Sequence, residues 1–238
     1  MHGLGLRMDP TATRPQLVVP RLLAEVPLTV NKKLDLPVQY REHYDQGAEG
    51  ACVGFGFSWM MSILNRRRYD PLWLYHEAQK IDPWPDTPPG DGTSEVSGAE
   101  ILIGQGHRRV FRGSTRLPEL QDGIASVQWA NPNSPVDELR ACVANGVPFG
   151  MAIPWFSDFD SPVWTTARGW VIGEKHPYGI GSIRGWHFIC SFGARDKYDA
   201  FDLVNTWGYD YPLVKIPYRV VEYLGKEYGA AFAVVVDR

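Results

Sequence analysis

The stretch 45-DQGAEGACVGFGFSWMMSI-63 decides how the rest of the chain is read. Gly47 and Gly50 mark a turn, and an apolar, helix-like run follows from Cys52 to Arg68. Cys52 therefore stands where a helix starts. Gly54 and Gly56 weaken that helix locally and would let another element pack close. A cysteine reacts as its thiolate, and an ordinary thiol with a pKa of ~8.5 is mostly protonated at neutral pH. A helix N-terminus lowers that pKa, and so does a neighbouring imidazolium. The sequence supplies the first device at Cys52 directly, and the second requires a histidine brought in by the fold.

The bulk numbers narrow the function classes. The chain has 238 residues, 44% of them hydrophobic, which suffices for a substantial core. Its 24 basic and 27 acidic residues leave a net charge of -3, so no nucleic-acid or membrane partner is expected. The single basic run, Arg66 to Arg68, closes the helix-like segment and is read as favourable charge at a helix C-terminus. No apolar run approaches the ~20 residues of a membrane span. Nor does the N-terminus show a charged region followed by an apolar one, so no signal peptide is expected and a cytoplasmic or virion-associated location is. The cysteines Cys52, Cys142 and Cys190 are odd in number and widely spaced, without zinc spacing. They read as reduced thiols, Cys142 and Cys190 as buried and inert, and no metal or other cofactor is expected.

Along the chain, residues 1–32 form an extended N-terminal arm, because Pro10, Pro15, Pro20 and Pro27 forbid a helix. Helices are expected at 52–68, 71–81, 93–106 and 135–146, the third capped by Thr93 or Ser94 and the fourth by Ser134. The Pro- and Gly-rich stretch 82–92 must be a loop. Strands are expected at 147–156, 186–192, 200–207, 212–218 and 230–237. Helices come first and strands later, which predicts an α+β architecture in two lobes. The division is 33–112, mainly helical and carrying Gln46 and Cys52, and 113–238, mainly β and carrying His187 and Asn205.

Among the six histidines, His187 lies in the strand-like stretch 185-GWHFICSFG-193, where an imidazole needs a partner. Eighteen residues on, 205-NTWG-208 places an asparagine that could take the far ring N–H and fix the tautomer, with Trp207 covering the bond. His76 reads as a helix-surface residue, His107 as a loop residue after a helix C-terminus, and His176 as part of a Gly-rich loop with only a minor claim to substrate contact. Cys190, three residues past His187, points to the opposite face of the strand.

These residues resemble the papain-like cysteine peptidases, in their bacterial and bacteriophage branch. That group carries a C-G-[SA]-C-[WY] signature with His and Asn roughly 130–150 residues downstream. Glu49-Gly50-Ala51-Cys52-Val53 agrees at three of five positions, His187 falls 135 residues after Cys52, and Asn205 falls 153 after it. Gln46 matches the family's oxyanion glutamine, N-T-W-G is similar to N-S-W-G, and 3-GLGLRMD-9 is similar to a leading arm of the disulfide-poor branch. The resemblance covers roughly residues 33–238. It implies a papain-like two-lobe fold: a helical lobe with the nucleophile helix, an antiparallel β-barrel-like lobe, and a cleft between them. The departures are Glu49 in place of a disulfide cysteine, Val53 in place of an aromatic residue, and Trp186 before the histidine. Glu49 would raise the thiolate pKa unless it points outward. Residues 1–32 are shorter than the inhibitory propeptides of the lysosomal and plant enzymes.

The implied activity is hydrolysis of protein or peptide substrates, with Cys52 as nucleophile, His187 as base and acid, Asn205 orienting His187, and Gln46 at the oxyanion. Trp207 supports the site. Gly50, Gly92 and Trp186 are candidate substrate contacts, Gly92 because glycine permits close backbone approach. Two alternatives stand beside this. One is a structural or binding component, such as a virion part, with little or no turnover and with partner subunits on arm 1–32. An arm lying across the cleft would add weight to it. The other, a cell-wall amidase, is disfavoured by the Asn-x-Trp motif and by the long Cys-to-His spacing.

Overall fold

The computed structural model describes residues 3–17, 28–37, 44–84, 92–110, 121–176 and 181–236. Across the end of the expected arm, β1 (Asn31–Lys33) pairs antiparallel with Gly193–Arg195 and so joins the main sheet. Helix α1 (Cys52–Asn65) follows, buried at every position from Cys52 to Ile63. A helix apolar all round belongs at the centre of a fold. It stops three residues before the expected end, because Arg66 takes a left-handed conformation (φ 55°) and returns its N–H to Ser62 O. The basic run is thus cap and loop; Arg66 pairs with Asp35 and Arg67 with Asp122.

Helix α2 (Pro71–Ile81) matches its expected span, with Pro71 in its first turn and Asp70 accepting from Trp73 N–H at 3.1 Å. Helix α3 (Glu95–Gly104) starts at the Ser94 cap, whose hydroxyl accepts from Ser97 N–H at 2.9 Å. Of the expected loop at 82–92, residues 85–91 lie outside the described residues. Two short strands, β2 (His107–Arg108) and β3 (Gln121–Asp122), pair with each other. After β4 (Ser126–Trp129) comes α4 (Pro135–Ala144), where Ser134 holds the cap position without a side-chain cap bond. Asp137 and Glu138 in the first turn suit the helix dipole instead.

The strands β5 (Phe149–Phe156), β6 (Val163–Thr165), β7 (Gly169–Val171), β8 (Ile183–Arg195), β9 (Ala200–Val204), β10 (Val214–Pro217) and β11 (Ala231–Val236) complete the second half. Helix α5 (Tyr218–Tyr228) precedes β11. The sheet order is β4-β11-β5-β8-β9-β10-β7-β6, with β1 on β8. Every described pair is antiparallel except β10 with β7. The expected barrel-like lobe is an open sheet among the described residues, with β4 and β6 as its ends.

Two apolar clusters hold the molecule together. One joins α1, α2 and α3 to Phe188 and Cys190 of β8; the other joins the sheet to α4 and α5. One seam of the first cluster runs between α1 and β8. The Phe57 and Phe188 rings meet at 4.7 Å, and a Cβ on Gly56 would fall 2.4 Å from the Phe188 ring. Gly56 thus lets the helix that begins at Cys52 lie on the strand that carries His187.

His107 corrects one expectation. After the turn at Gly106 (φ 82°) it lies fully buried in strand β2 rather than in a loop. Its Nε2 lies 2.8 Å from Ser58 Oγ, and that hydroxyl donates to Gly54 O at 2.7 Å. Burial pushes its pKa down to about 3, so it is a neutral core histidine stacked on Tyr69.

Nearby, Asp122 accepts from Tyr69 Oη at 2.6 Å, Arg109 Nε at 2.6 Å and Arg67 Nη1 at 3.0 Å. Burial works against its charge, but these donors outweigh it and hold its pKa at about 2. A depressed carboxylate stabilises the fold above its unfolded pKa and loses that contribution as pH falls through the folded value. Asp122→Asn should therefore cost about 2–3 kcal/mol at neutral pH and flatten the stability loss between about pH 4 and pH 2. Urea melts across that range measure both.

Candidate active site

Cys52 opens α1 and is fully buried. β8 brings His187, also fully buried, and the turn after β9 brings Asn205. His187 Nε2 lies 2.7 Å from Asn205 Oδ1. That amide oxygen also accepts Thr206 N–H at 2.7 Å, so it is an acceptor and His187 Nε2 carries the proton. The Trp207 ring lies 5.1 Å from the imidazole. Trp155 meets the imidazole edge-on at 4.8 Å. Sequence reasoning missed Trp155, which reads as ordinary core in the unbroken apolar run of β5.

The backbone of Phe188, the residue after His187, abuts the Cys52 sulfur, and so does the backbone of Gly5. Burial dominates at that sulfur. It pushes the thiol pKa up to about 11 against the smaller favourable pull of those backbone groups, so the thiol is neutral as the protein stands. Glu49 is not the cause: it is exposed. Cys142 and Cys190 are buried as expected, with burial raising both pKa values, that of Cys142 to about 12. His76 is exposed, and the His176 ring packs on Tyr223 at 4.1 Å.

Gln46 is held from both sides of the molecule. Its N–H donates to Thr206 O at 2.9 Å, and its Oε1 accepts from the Thr206 hydroxyl. Its Nε2 donates to Glu49 O at 2.7 Å and to Gly3 O at 3.1 Å. Thr206, inside the N-T-W-G motif, thus couples Gln46 to the Asn205 turn. Its motif position was visible in the sequence but its role was not.

The Gly3 contact identifies what fills the site. The arm runs through it. Gly3 N–H donates to Gly47 O, Thr93 N–H donates to Gly5 O at 2.9 Å, and Arg7 N–H donates to Thr93 O at 3.1 Å. Leu6 and Thr93 form a parallel bridge, Leu6 joins the helical-lobe core, and Leu4 packs against the other cluster. Side chains on the arm's glycines would not fit: a Cβ on Gly5 would lie 1.8 Å from Gly50 O. The arm therefore lies between the two halves of the fold with its backbone against both Cys52 and Gln46.

The candidate substrate contacts resolve unevenly. Gly50 lies against the arm's Gly5. At the second position the backbone ladder is made by Thr93, and Gly92 supplies the room, since a Cβ there would meet Gly5 O at 1.8 Å. Trp186 sits beside His187 in β8 and packs, partly buried, on the helical-lobe cluster.

No protein-family model matches this sequence, and no curated protein matches it. Solved structures do. Xylellain, a cysteine protease from Xylella fastidiosa, superposes with a TM-score of 0.73 over 100% of this chain and 97% of its own, at 18% identity. Procathepsin B S9 from Trypanosoma congolense gives 0.61 over 99% and 87%, at 12% identity. Digestive procathepsin L2 from the Tenebrio molitor larval midgut gives 0.61 over 99% and 78%, at 15% identity. At these identities the likeness is one of fold: the chain has the papain-like fold of cysteine proteases.

Proposed function

We propose that the chain is a thiol peptidase held latent by its own arm. The observation that carries this reading is a peptide backbone, residues 3–7, lying across Cys52 with a carbonyl on the Gln46 amide. A group that holds a ground-state carbonyl there also suits the oxyanion that forms when that carbonyl is attacked. With Nε2 donating to Asn205, His187 has Nδ1 to take the Cys52 proton. The thiolate attacks the scissile carbonyl, and the Gln46 amide and the Cys52 N–H stabilise the oxyanion. His187 then protonates the leaving amine, and water hydrolyses the thioester to release the acid.

Displacing the arm removes backbone from the sulfur, admits water to the cleft and lets the helix N-terminus and His187 act on the thiol. In an arm-displaced chain, Gln46→Ala should lower kcat by about 10²–10³-fold with a smaller change in KM, because one oxyanion donor is lost. Steady-state hydrolysis of fluorogenic peptides measures it. An unchanged kcat would remove Gln46 from the mechanism.

A second reading draws on the same site. The arm lying across the cleft adds weight, as the sequence reading anticipates, to a papain-like domain kept as a binding component with little turnover, and the neutral, fully buried Cys52 suits that too. The two readings part on one result, since only the first expects hydrolysis once the arm is displaced.

A further inference from the structure

The arm touches the cleft in two chemically different ways. The hydrogen bonds of Gly3, Gly5 and Arg7 with Gly47 and Thr93 are main-chain contacts, which any peptide could make. Among its side chains, Leu6 and Leu4 enter the apolar clusters, the Arg7 guanidinium lies 4.4 Å over the Trp84 ring, and one contact is an ion pair. Arg14 forms the ion pair between the arm and the rest of the chain among the described residues, and its partner is Glu95. Glu95 is the first residue of α3, two positions after Thr93, and it is fully buried.

A carboxylate so placed is costly unless a cation faces it. Burial indeed raises its pKa above the ordinary value even against the pull of Arg14. Arg14 answers with Nε at 3.0 Å and Nη2 at 2.5 Å, both on the same oxygen, Oε1. The second oxygen, Oε2, has no hydrogen-bond partner among the described residues. The guanidinium also stands 5.8 Å from the Trp129 ring centroid. Carboxylate and aromatic face together make a guanidinium site.

The position of this pair is set by the arm's own turn. Arg14 Nη2 donates to Asp9 O at 3.1 Å, so the guanidinium folds back to within two residues of Arg7, where the ladder with Thr93 ends. We infer that Glu95 and Trp129 form a subsite at that end of the peptide cleft, and that it selects peptides carrying an arginine side chain there. Arg14 is then the chain's own occupant of a specificity pocket. The inference rests on the peptidase reading for its consequence in catalysis, but the pocket itself is testable without turnover.

In the full chain, Arg14→Ala should lower Tm, and methylguanidinium should restore it where sodium at equal ionic strength does not. Arg14→Ala with Glu95→Gln should show no such recovery. Recovery that is equal with sodium, or that survives Glu95→Gln, would overturn the pocket. The catalytic arm of the test uses Gly5→Val, which displaces the arm, and a pair of peptides differing by arginine or leucine at that subsite. The arginine peptide should have the higher kcat/KM, and Glu95→Gln should lower the arginine-to-leucine ratio about tenfold. Cleavage of both peptides with equal kcat/KM would overturn the selectivity and leave the peptidase reading standing. No cleavage of either, with the arm displaced, would overturn both.

Discussion

Gly5→Val should switch the site on. A Cβ at position 5 would lie 1.8 Å from Gly50 O and 2.1 Å from both Gly50 C and Cα, all rigid backbone atoms, so the arm cannot stay where it is. What it loses is a few main-chain hydrogen bonds, the burial of Leu6 and Leu4, and the Arg14–Glu95 pair. Such contacts, net of the entropy of ordering the arm, suit a docking free energy of about 3 kcal/mol, which leaves the cleft open roughly 1% of the time. Releasing it should then raise peptide hydrolysis and Cys52 alkylation about 100-fold. The fold should survive, because the substitution lies in the arm and not in either apolar cluster. Circular dichroism with parallel rate measurements tests this, and a Gly5→Val chain that is folded yet no faster would show that the arm does not gate the cleft.

In that released chain, Cys52→Ala should abolish hydrolysis, a loss of about 10⁴-fold or more. The acyl thioester has no other sulfur to form on. Cys142 belongs to the cluster on the far side of the sheet, and Cys190 to the core of the helical side. The same substitution should leave the fold nearly intact, because a single thiol is removed from a site built around backbone contacts. A large stability loss with retained hydrolysis would instead make Cys52 a core residue. Residual hydrolysis within tenfold of the released chain would point to chemistry by another group.

Much of this was legible because the signals are local. Helix α2 follows from Pro71 and its Asp70 cap, and the start of α1 at Cys52 follows from two turn glycines and an apolar run. The His187–Asn205 bond was legible for a different reason: an imidazole in an apolar strand needs a partner, and Asn205 offered one. Helix α5 was missed although its apolar residues Tyr218, Val221 and Leu224 recur at helical spacing and Gly229 stops it in a left-handed cap. Its start was absorbed into the strand read at 212–218. The inward turn of His107 and the edge-on packing of Trp155 depend on distant elements, which no window of sequence contains. The placement of the arm was hardest. Gly3 and Gly5 look like flexible residues in sequence, and only the fold shows that they are glycine because backbone passes on backbone.

The pKa of Cys52 follows the same logic. With the arm docked, burial holds the thiol at about 11, so almost no thiolate exists at neutral pH and alkylation should climb as pH rises toward that value. With the arm displaced, the helix N-terminus and the His187 imidazole favour the thiolate, and reactivity should persist into mildly acidic solution.

The most direct measurement is therefore the rate of Cys52 alkylation by iodoacetamide between pH 5 and pH 8, located by peptide mapping, in the intact chain and in Gly5→Val. Cys142 and Cys190 serve as buried controls within the same molecules. A latent peptidase predicts slow, pH-dependent labelling of Cys52 in the intact chain and fast labelling, nearly flat down to about pH 5, in Gly5→Val. Labelling of Cys52 in Gly5→Val that stays as slow as that of Cys142, and rises only with alkaline pH, would contradict it.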